Sequence, residues 1–387
     1  MEVSSLTLSG QYQLRPGIQP GIVGLRPVLG AGRLGRLLRG QSGAQVGRTL
    51  TSVFTLCAHA HRRAAEMAME SAQRGQSPVL PPLATLLLET ARDHLRSIAL
   101  DWPQRLPEKI PTAHMLGWLR SCPVALVGNP AGTDAATAWE ALAKLRTWLE
   151  SSVLCEPASR WLPVHRDPDV LAGWCVMQAP HLLPARCMAH WHALAHHLTP
   201  PMRSLDLLDA TPALQHARLR ELAQQLVDVG DFAQRPTWDG RCAETGPWTR
   251  LRHQDRKAQH SAWTRSSARW MELVEIAAVE PGNAGLDGAP LLSCGALRLA
   301  EGQALAWCEM ARGLLLHWVR LDGQGAVLDY RVLAPTEWNF HPDGALSRAV
   351  SDLPTAATAV AQTLAAAFDP CVACTVQSGA TGAGVGA

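Results

Sequence analysis

The cysteines of Phe368-Asp-Pro-Cys-Val-Ala-Cys374 have the type and spacing that most directly admit chemistry. A short turn between Cys371 and Cys374 can aim both sulfurs at one point, so the pair can hold a single thiophilic metal. A thioredoxin-like redox role would need the pair at a strand-to-helix junction. Here it follows a helix-like segment, which argues against that role and leaves two ordinary buried cysteines as the plain alternative. Cys57 and His61 stand four residues apart, a spacing that shares a helix face and on its own is more often packing than ligation. The densest histidine cluster is His190-Trp-His192-Ala-Leu-Ala-His196-His197, with Cys187 nearby. His192 and His196 have a zinc-compatible spacing, but the glutamate of His-Glu-x-x-His is missing and residue 193 is Ala. A polar helix face or a partner surface is the favoured reading there. The basic run Arg250, Arg252, Arg256 and Lys257 reads as a solvated face, with docking of an acidic partner as the other option.

The elements that must position these residues are mostly helical. Apolar periodicity predicts helices over 50–73, 83–100, 133–151, 183–198, 211–229, 262–278 and 353–368, with a loop at 77–82. Residues 21–25 suit a short strand. Residues 313–321 and 327–334 flank Asp322-Gly323-Gln324-Gly325 and predict a β-hairpin. The expected fold is mainly α with minor β at both ends, in one domain over 1–377. Residues 378–387 form a Gly/Ala tail that is expected to be disordered.

Composition narrows the function classes. The 387 residues are 47% apolar and 18% charged, enough for a sizeable core. A net charge of +2 from interspersed basic and acidic residues excludes the basic stripe of a nucleic-acid binder. The excess of 14 Trp over 2 Tyr and 4 Phe tracks the high Ala, Arg and Leu and carries no function. The ten cysteines are scattered through a long chain that begins Met-Glu-Val-Ser-Ser, without a signal-like apolar region. With no run of eighteen apolar residues, no membrane insertion is expected, and the thiols are expected to be reduced in the cytoplasm.

The Asp-Pro-Cys-x-x-Cys element resembles the C-terminal end of nickel–iron hydrogenase large subunits. Other segments resemble that family in the same order along the chain. Ser52-Val-Phe-Thr-Leu-Cys57-Ala-His-Ala-His61 is similar to its Arg-x-Cys-Gly-x-Cys-x-x-x-His, with Phe54 in place of the first cysteine. Asp93-His94-Leu95 resembles the helix that follows. Ala243-Glu-Thr-Gly-Pro-Trp-Thr-Arg250 resembles Glu-x-Gly-Pro-x-x-Arg. Met310-Ala-Arg-Gly-Leu-Leu-Leu-His-Trp318 resembles Ala-Pro-Arg-Gly-x-x-x-His, with Ala311 in place of Pro. Ala334-Pro-Thr-Glu-Trp-Asn339 resembles Val-Pro-Ser/Thr-Thr-Trp-Asn.

The resemblance implies a large-subunit-like α-helical core around a buried cysteine site. It makes Cys57 and Cys374 the counterparts of the two thiolates that bridge iron and nickel. Cys371 and Phe54 then correspond to terminal nickel ligands, so a four-thiolate nickel site cannot form. By the same resemblance Arg312 and Thr336 would donate to the two cyanides of the iron unit, Asp93 and Asp369 would hold Arg312, and His61 would stand beside them. Read without it, Arg312 could be a surface ion pair and Thr336 a turn residue. Gln377 replaces the family's closing His, and Ser9-Gly10-Gln11 lacks the proton-transferring Glu.

Iron ligands kept with nickel ligands lost fit the hydrogenase expression/formation proteins of the HupK/HoxV type. The expected role is a non-catalytic scaffold that transiently holds the Fe(CN)2(CO) unit, without nickel. Its expected partners are a small chaperone of the HypC type and the immature large subunit. A divergent hydrogenase or hydrogen sensor with an altered metal centre is the alternative, and a zinc hydrolase built on the histidine cluster ranks third.

Overall fold

A computed structural model describes residues 10–29, 32–54, 57–74, 82–125, 133–201, 203–208, 211–250, 261–282 and 291–377. At its centre lies the helix Ala262–Ala278, capped by Ser261, whose hydroxyl accepts the Thr264 N–H. Nearly every residue of this helix is buried, and it packs against the helices Leu83–Arg96, Ala135–Leu149, Leu183–Ala195 and Thr358–Phe368. Its polar residues Arg265, Arg269, Glu272 and Glu275 are buried too, and each meets an opposite charge. Burying such charges without partners would be prohibitive, so these pairs fix how the helices meet around it.

The second layer is an antiparallel meander of β3 Cys294–Ala300, β4 Gln303–Met310, β5 Gly313–Leu321 and β6 Val327–Leu333, in that order. The helix Ala58–Arg74 covers it, packing on β3, β4 and β5. Strand β5 is buried along almost its whole length, which is why Leu314-Leu-Leu316 does not alternate. The β5–β6 hairpin lies where the sequence predicts it, while β3 and β4 are additional. Both are rich in Ala and show no clean alternation, so their period was hidden.

A third element joins the two ends of the chain. Strand β1, Gln11–Leu14, pairs antiparallel with β2, Ile22–Leu25, and parallel with β7, Ala373–Val376. The short strand expected over 21–25 is β2; β1 and β7, which the sequence did not announce, join it in one small sheet with Tyr12 opposite Cys374.

Two helix boundaries matter for the site. The predicted helix over 50–73 is really two helices, Ala44–Val53 and Ala58–Arg74, with Phe54 at the end of the first. Thr51 and Val53, β-branched residues of weak helix propensity, close the first helix. The break leaves Cys57 at the entrance of the second helix. Leu83–Arg96 runs on as predicted, through a π-helical turn at Ser97–Asp101. The predicted loop over 77–82 falls mostly, and the tail 378–387 wholly, outside the described residues.

Candidate metal-unit site

The sequence motifs meet at one place. Asn339 accepts the Thr245 N–H at 3.0 Å and donates to the Thr245 carbonyl at 2.8 Å. The Thr245 hydroxyl oxygen in turn accepts the Leu314 N–H at 2.9 Å. The Glu244-Thr-Gly-Pro and Pro335-Thr-Glu-Trp-Asn339 segments are thereby locked to each other and to the start of β5. Arg312 sits in the two-residue turn between β4 and β5, where Met310 pairs with Gly313. Gly313 has φ +126°, and a Cβ there would come within 2.7 Å of the Thr245 side chain. Only glycine lets the turn approach so closely. Arg250 braces the same turn by donating to the Met310 carbonyl at 3.0 Å.

This turn delivers a buried guanidinium. Arg312 Nη1 lies 3.6 Å from the Cys57 sulfur, and its Nε is 2.9 Å from Asp369 Oδ2. Its Nε–H makes no hydrogen bond, so the contact with Asp369 is an ion pair. Arg269 Nη1 approaches the same carboxylate oxygen at 2.5 Å, and Ser97 donates to its other oxygen at 3.5 Å. Burial alone would raise the Asp369 pKa, but Arg269 and Arg312 outweigh it and hold the carboxyl below its ordinary value. Asp369 ends the helix Thr358–Phe368 in the left-handed region, φ +46°, a conformation Asp tolerates better than most residues. With Pro370 following, the chain turns inward at Cys371.

The sulfur facing Cys57 is that of Cys371, 3.4 Å away. The Cys371 N–H donates to the Thr336 hydroxyl oxygen at 3.4 Å. The pair shares one proton readily: the hydrogen bond from Cys57, helped by Arg312 and Arg26, pushes Cys371 down to about 6, while Cys57 is pushed up. A single thiolate beside a guanidinium is thus available at neutral pH. Asp93 acts on Arg312 and Cys57 through its charge, and burial raises its own pKa to about 6.

The other predicted residues stand around this centre. Cys374, in β7, is held in register with Tyr12 and lines a cavity of about 360 Å³ on another side of Arg312. The resemblance pairs Cys57 with Cys374, whereas the thiol–thiol contact in the structure is between Cys57 and Cys371. The turn at Asp369-Pro370 sends Cys371 inward, and the β1–β7 ladder keeps Cys374 on the sheet. His61 stacks on Phe54, ring centroids 3.9 Å apart, and hydrogen-bonds His317, which in turn bonds the Tyr330 hydroxyl at 2.7 Å.

Residues that sequence reasoning missed complete the surroundings. Arg26 lies over the Phe54 ring at 5.1 Å and pairs with the buried Glu337 at 3.4 Å. Burial raises Glu337 to about 7. Nothing local marks Arg26, because only the β1–β2–β7 sheet brings it here. Arg269 had a visible signal: Arg265, Arg269 and Glu272 form an i, i+4, i+7 stripe in a helix whose one other charged residue is Glu275.

One prediction needs correction. Arg250 does not lie on a solvated face: it forms two hydrogen bonds with buried Glu272, which also meets His94 at 2.7 Å. A guanidinium that donates to both oxygens of one carboxylate offsets its desolvation well. Residues 252, 256 and 257 lie outside the described part. In the histidine cluster, His192 and His196 stack at 4.7 Å, and His196 is bonded to its own helix through the His192 carbonyl.

The donor set does not suit nickel held by four thiolates. Phe54 offers no donor atom and is wedged between Arg26 and His61. Among the described residues no group of three His, Cys, Asp or Glu side chains is arranged to hold a metal ion. Two facing thiols, a guanidinium and a hydroxyl instead suit a preformed unit that brings its own ligands. Among the described residues no helix is long and apolar enough to cross a membrane.

Residues 292–377, which carry Arg312, Thr336, Cys371 and Cys374, match the family model of nickel-dependent hydrogenases. Over the full length, the chain is 39% identical to the hydrogenase expression/formation protein HoxV of Cupriavidus necator, covering 96% of each chain. It is 27% identical to the hydrogenase expression/formation protein HupK of Bradyrhizobium diazoefficiens, covering 88% of each. The chain belongs to this HupK/HoxV family of hydrogenase expression/formation proteins. A solved chain of an NAD+-reducing [NiFe]-hydrogenase aligns over 92% of this chain and 97% of its own, at 16% identity and a TM-score of 0.42.

Proposed function

We propose that the protein is a non-catalytic maturation scaffold that receives the Fe(CN)2(CO) unit as cargo and passes it to the immature large subunit of a nickel–iron hydrogenase. The observation that carries the reading is the part-buried Cys57–Cys371 thiol pair beside Arg312, next to a Phe54 that denies nickel a ligand. The thiols supply sulfur ligands. Arg312 and the Thr336 hydroxyl supply donors for cyanide nitrogens, which are strong acceptors and need partners away from water. Asp369 and Asp93 keep the guanidinium in place and balance its charge. Without a second metal to lock the bridge, the unit can leave again.

The partners proposed are a small maturation chaperone of the HypC type as donor and the immature large subunit as acceptor, in the cytoplasm. The test is genetic and biochemical together. A hydrogenase-producing host lacking this gene should accumulate immature large subunit, and the wild-type gene should restore hydrogen uptake. Cys57→Ser should accumulate as folded protein yet fail to restore it. Full restoration by Cys57→Ser would refute the proposal.

A further inference from the structure

We propose that the three thiols divide the work: Cys57 and Cys371 form the facing pair that holds the iron unit, and Cys374 is the thiol through which it enters and leaves. The proposal rests on the maturation reading and adds a route to it. Three observations support it. The only partner seen for the Cys57 sulfur among the described cysteines is Cys371, at 3.4 Å. Cys374 instead lines the 360 Å³ cavity together with Asp101, Gln104, Arg105, Arg312 and Asp369. Arg312 belongs to both places: it is 4% exposed, its Nη1 reaches Cys57, and it also lines the cavity.

The cavity has the chemistry to recognise a cyanide-bearing iron complex. Two guanidiniums and an amide offer donors to cyanide nitrogens, and one thiol offers a metal ligand. The backbone of Cys374 is held on the sheet, because residues 373–376 are paired along their length with β1. A unit bound at Cys374 therefore has to be handed on by ligand exchange. First the iron–sulfur bond to a thiolate of the donor protein breaks as the bond to Cys374 forms, and the proton lost by Cys374 goes to the departing thiolate. Then the sulfurs of Cys57 and Cys371, which share one proton, replace the sulfur of Cys374 and one water bound to the iron, and that proton goes to Cys374. Neither exchange changes the oxidation state of iron or sulfur. Departure runs the same steps in reverse.

The placement can be read without iron. Dibromobimane, which bridges neighbouring thiols, is added to the metal-free chain and the bridged peptides are identified by mass. A 57–371 bridge is expected in the wild type and in Cys374→Ser; a 57–374 bridge would overturn the proposal. The route is read in the host. Cys374→Ser should load iron about tenfold more slowly or worse but, once loaded, hold it as firmly as the wild type, with maturation falling in step, while Cys371→Ser should fail to hold it. Loading of Cys374→Ser at the wild-type rate, or its undiminished maturation, would overturn the division of work. A wild-type chain free of iron would overturn the maturation reading and the route with it, while a 57–371 bridge would leave the thiol placement standing.

Discussion

Asp369→Asn removes the carboxylate that two buried guanidiniums share. In the native chain Arg269 and Arg312 both contact Asp369 Oδ2, at 2.5 and 2.9 Å, and both cations are almost fully buried. Their mutual repulsion and desolvation already lower the pKa of Arg269 despite the carboxylate. An amide of the same shape keeps the packing but takes the nearest carboxylate from both guanidiniums, leaving Arg312 with Asp93 and the thiol pair and Arg269 with Glu272 and Asp101. Breaking a buried pair in this way costs about 3–5 kcal/mol, and the second cation affected puts this site at the upper end. The assay is urea unfolding of the metal-free protein at pH 7, followed by tryptophan fluorescence. Removing one cation as well should recover part of the loss, so Asp369→Asn with Arg269→Met should be more stable than the sum of the singles by about 2 kcal/mol. A loss below about 1 kcal/mol for Asp369→Asn, the range of an exposed pair, would refute the reasoning.

Two buried groups predict opposite pH slopes. Burial holds His317 down to about 3, so as pH falls from 7 to 4 only the unfolded chain takes the proton. The wild type should then lose stability relative to His317→Gln by up to about 1.4 kcal/mol per pH unit below pH 6.5. Glu337, raised to about 7, works the other way. Relative to Glu337→Gln, the wild type should lose stability as pH rises from 4.5 to 7 and stay level above; parallel urea titrations that show no such crossing would contradict both assignments. Gly313→Ala forces a side chain onto Thr245 at a positive φ and should cost about 2–4 kcal/mol, with loss of cargo binding because Arg312 is displaced. Asn339→Ala strands the Thr245 N–H and carbonyl and should lower stability by about 2–3 kcal/mol, measured by the same unfolding assay.

The resemblance to nickel–iron hydrogenase large subunits made part of this site legible. The motifs around Arg312, Thr336, Asp369 and Cys371 rely on local geometry, namely a two-residue hairpin turn, a helix start and a left-handed Asp before Pro. Each leaves a short, ordered signature, and those residues meet. The long helices were legible for the same reason, since one buried face repeats along each. What stayed hidden depends on distant pairings. Arg26 reaches Phe54 and Glu337 only through a sheet built from both ends of the chain. Arg250 looked solvated within a basic run, because its partner Glu272 lies on a separate helix. Strands β3 and β4 have too little contrast between faces for an alternation to show. The position of Cys374 also escaped, because a Cys-x-x-Cys spacing says that two sulfurs can converge, and a parallel strand pairing decides whether they do.

The central claim is that this protein carries iron already dressed with CO and cyanide. The measurement is the infrared spectrum of the protein purified without oxygen from a hydrogenase-producing host, with iron and nickel determined on the same sample. The account predicts one CO band and two cyanide bands, iron, and no nickel, with the bands lost in Cys57→Ser. A blank CO and cyanide window in protein from cells making active hydrogenase would contradict it, and so would stoichiometric nickel.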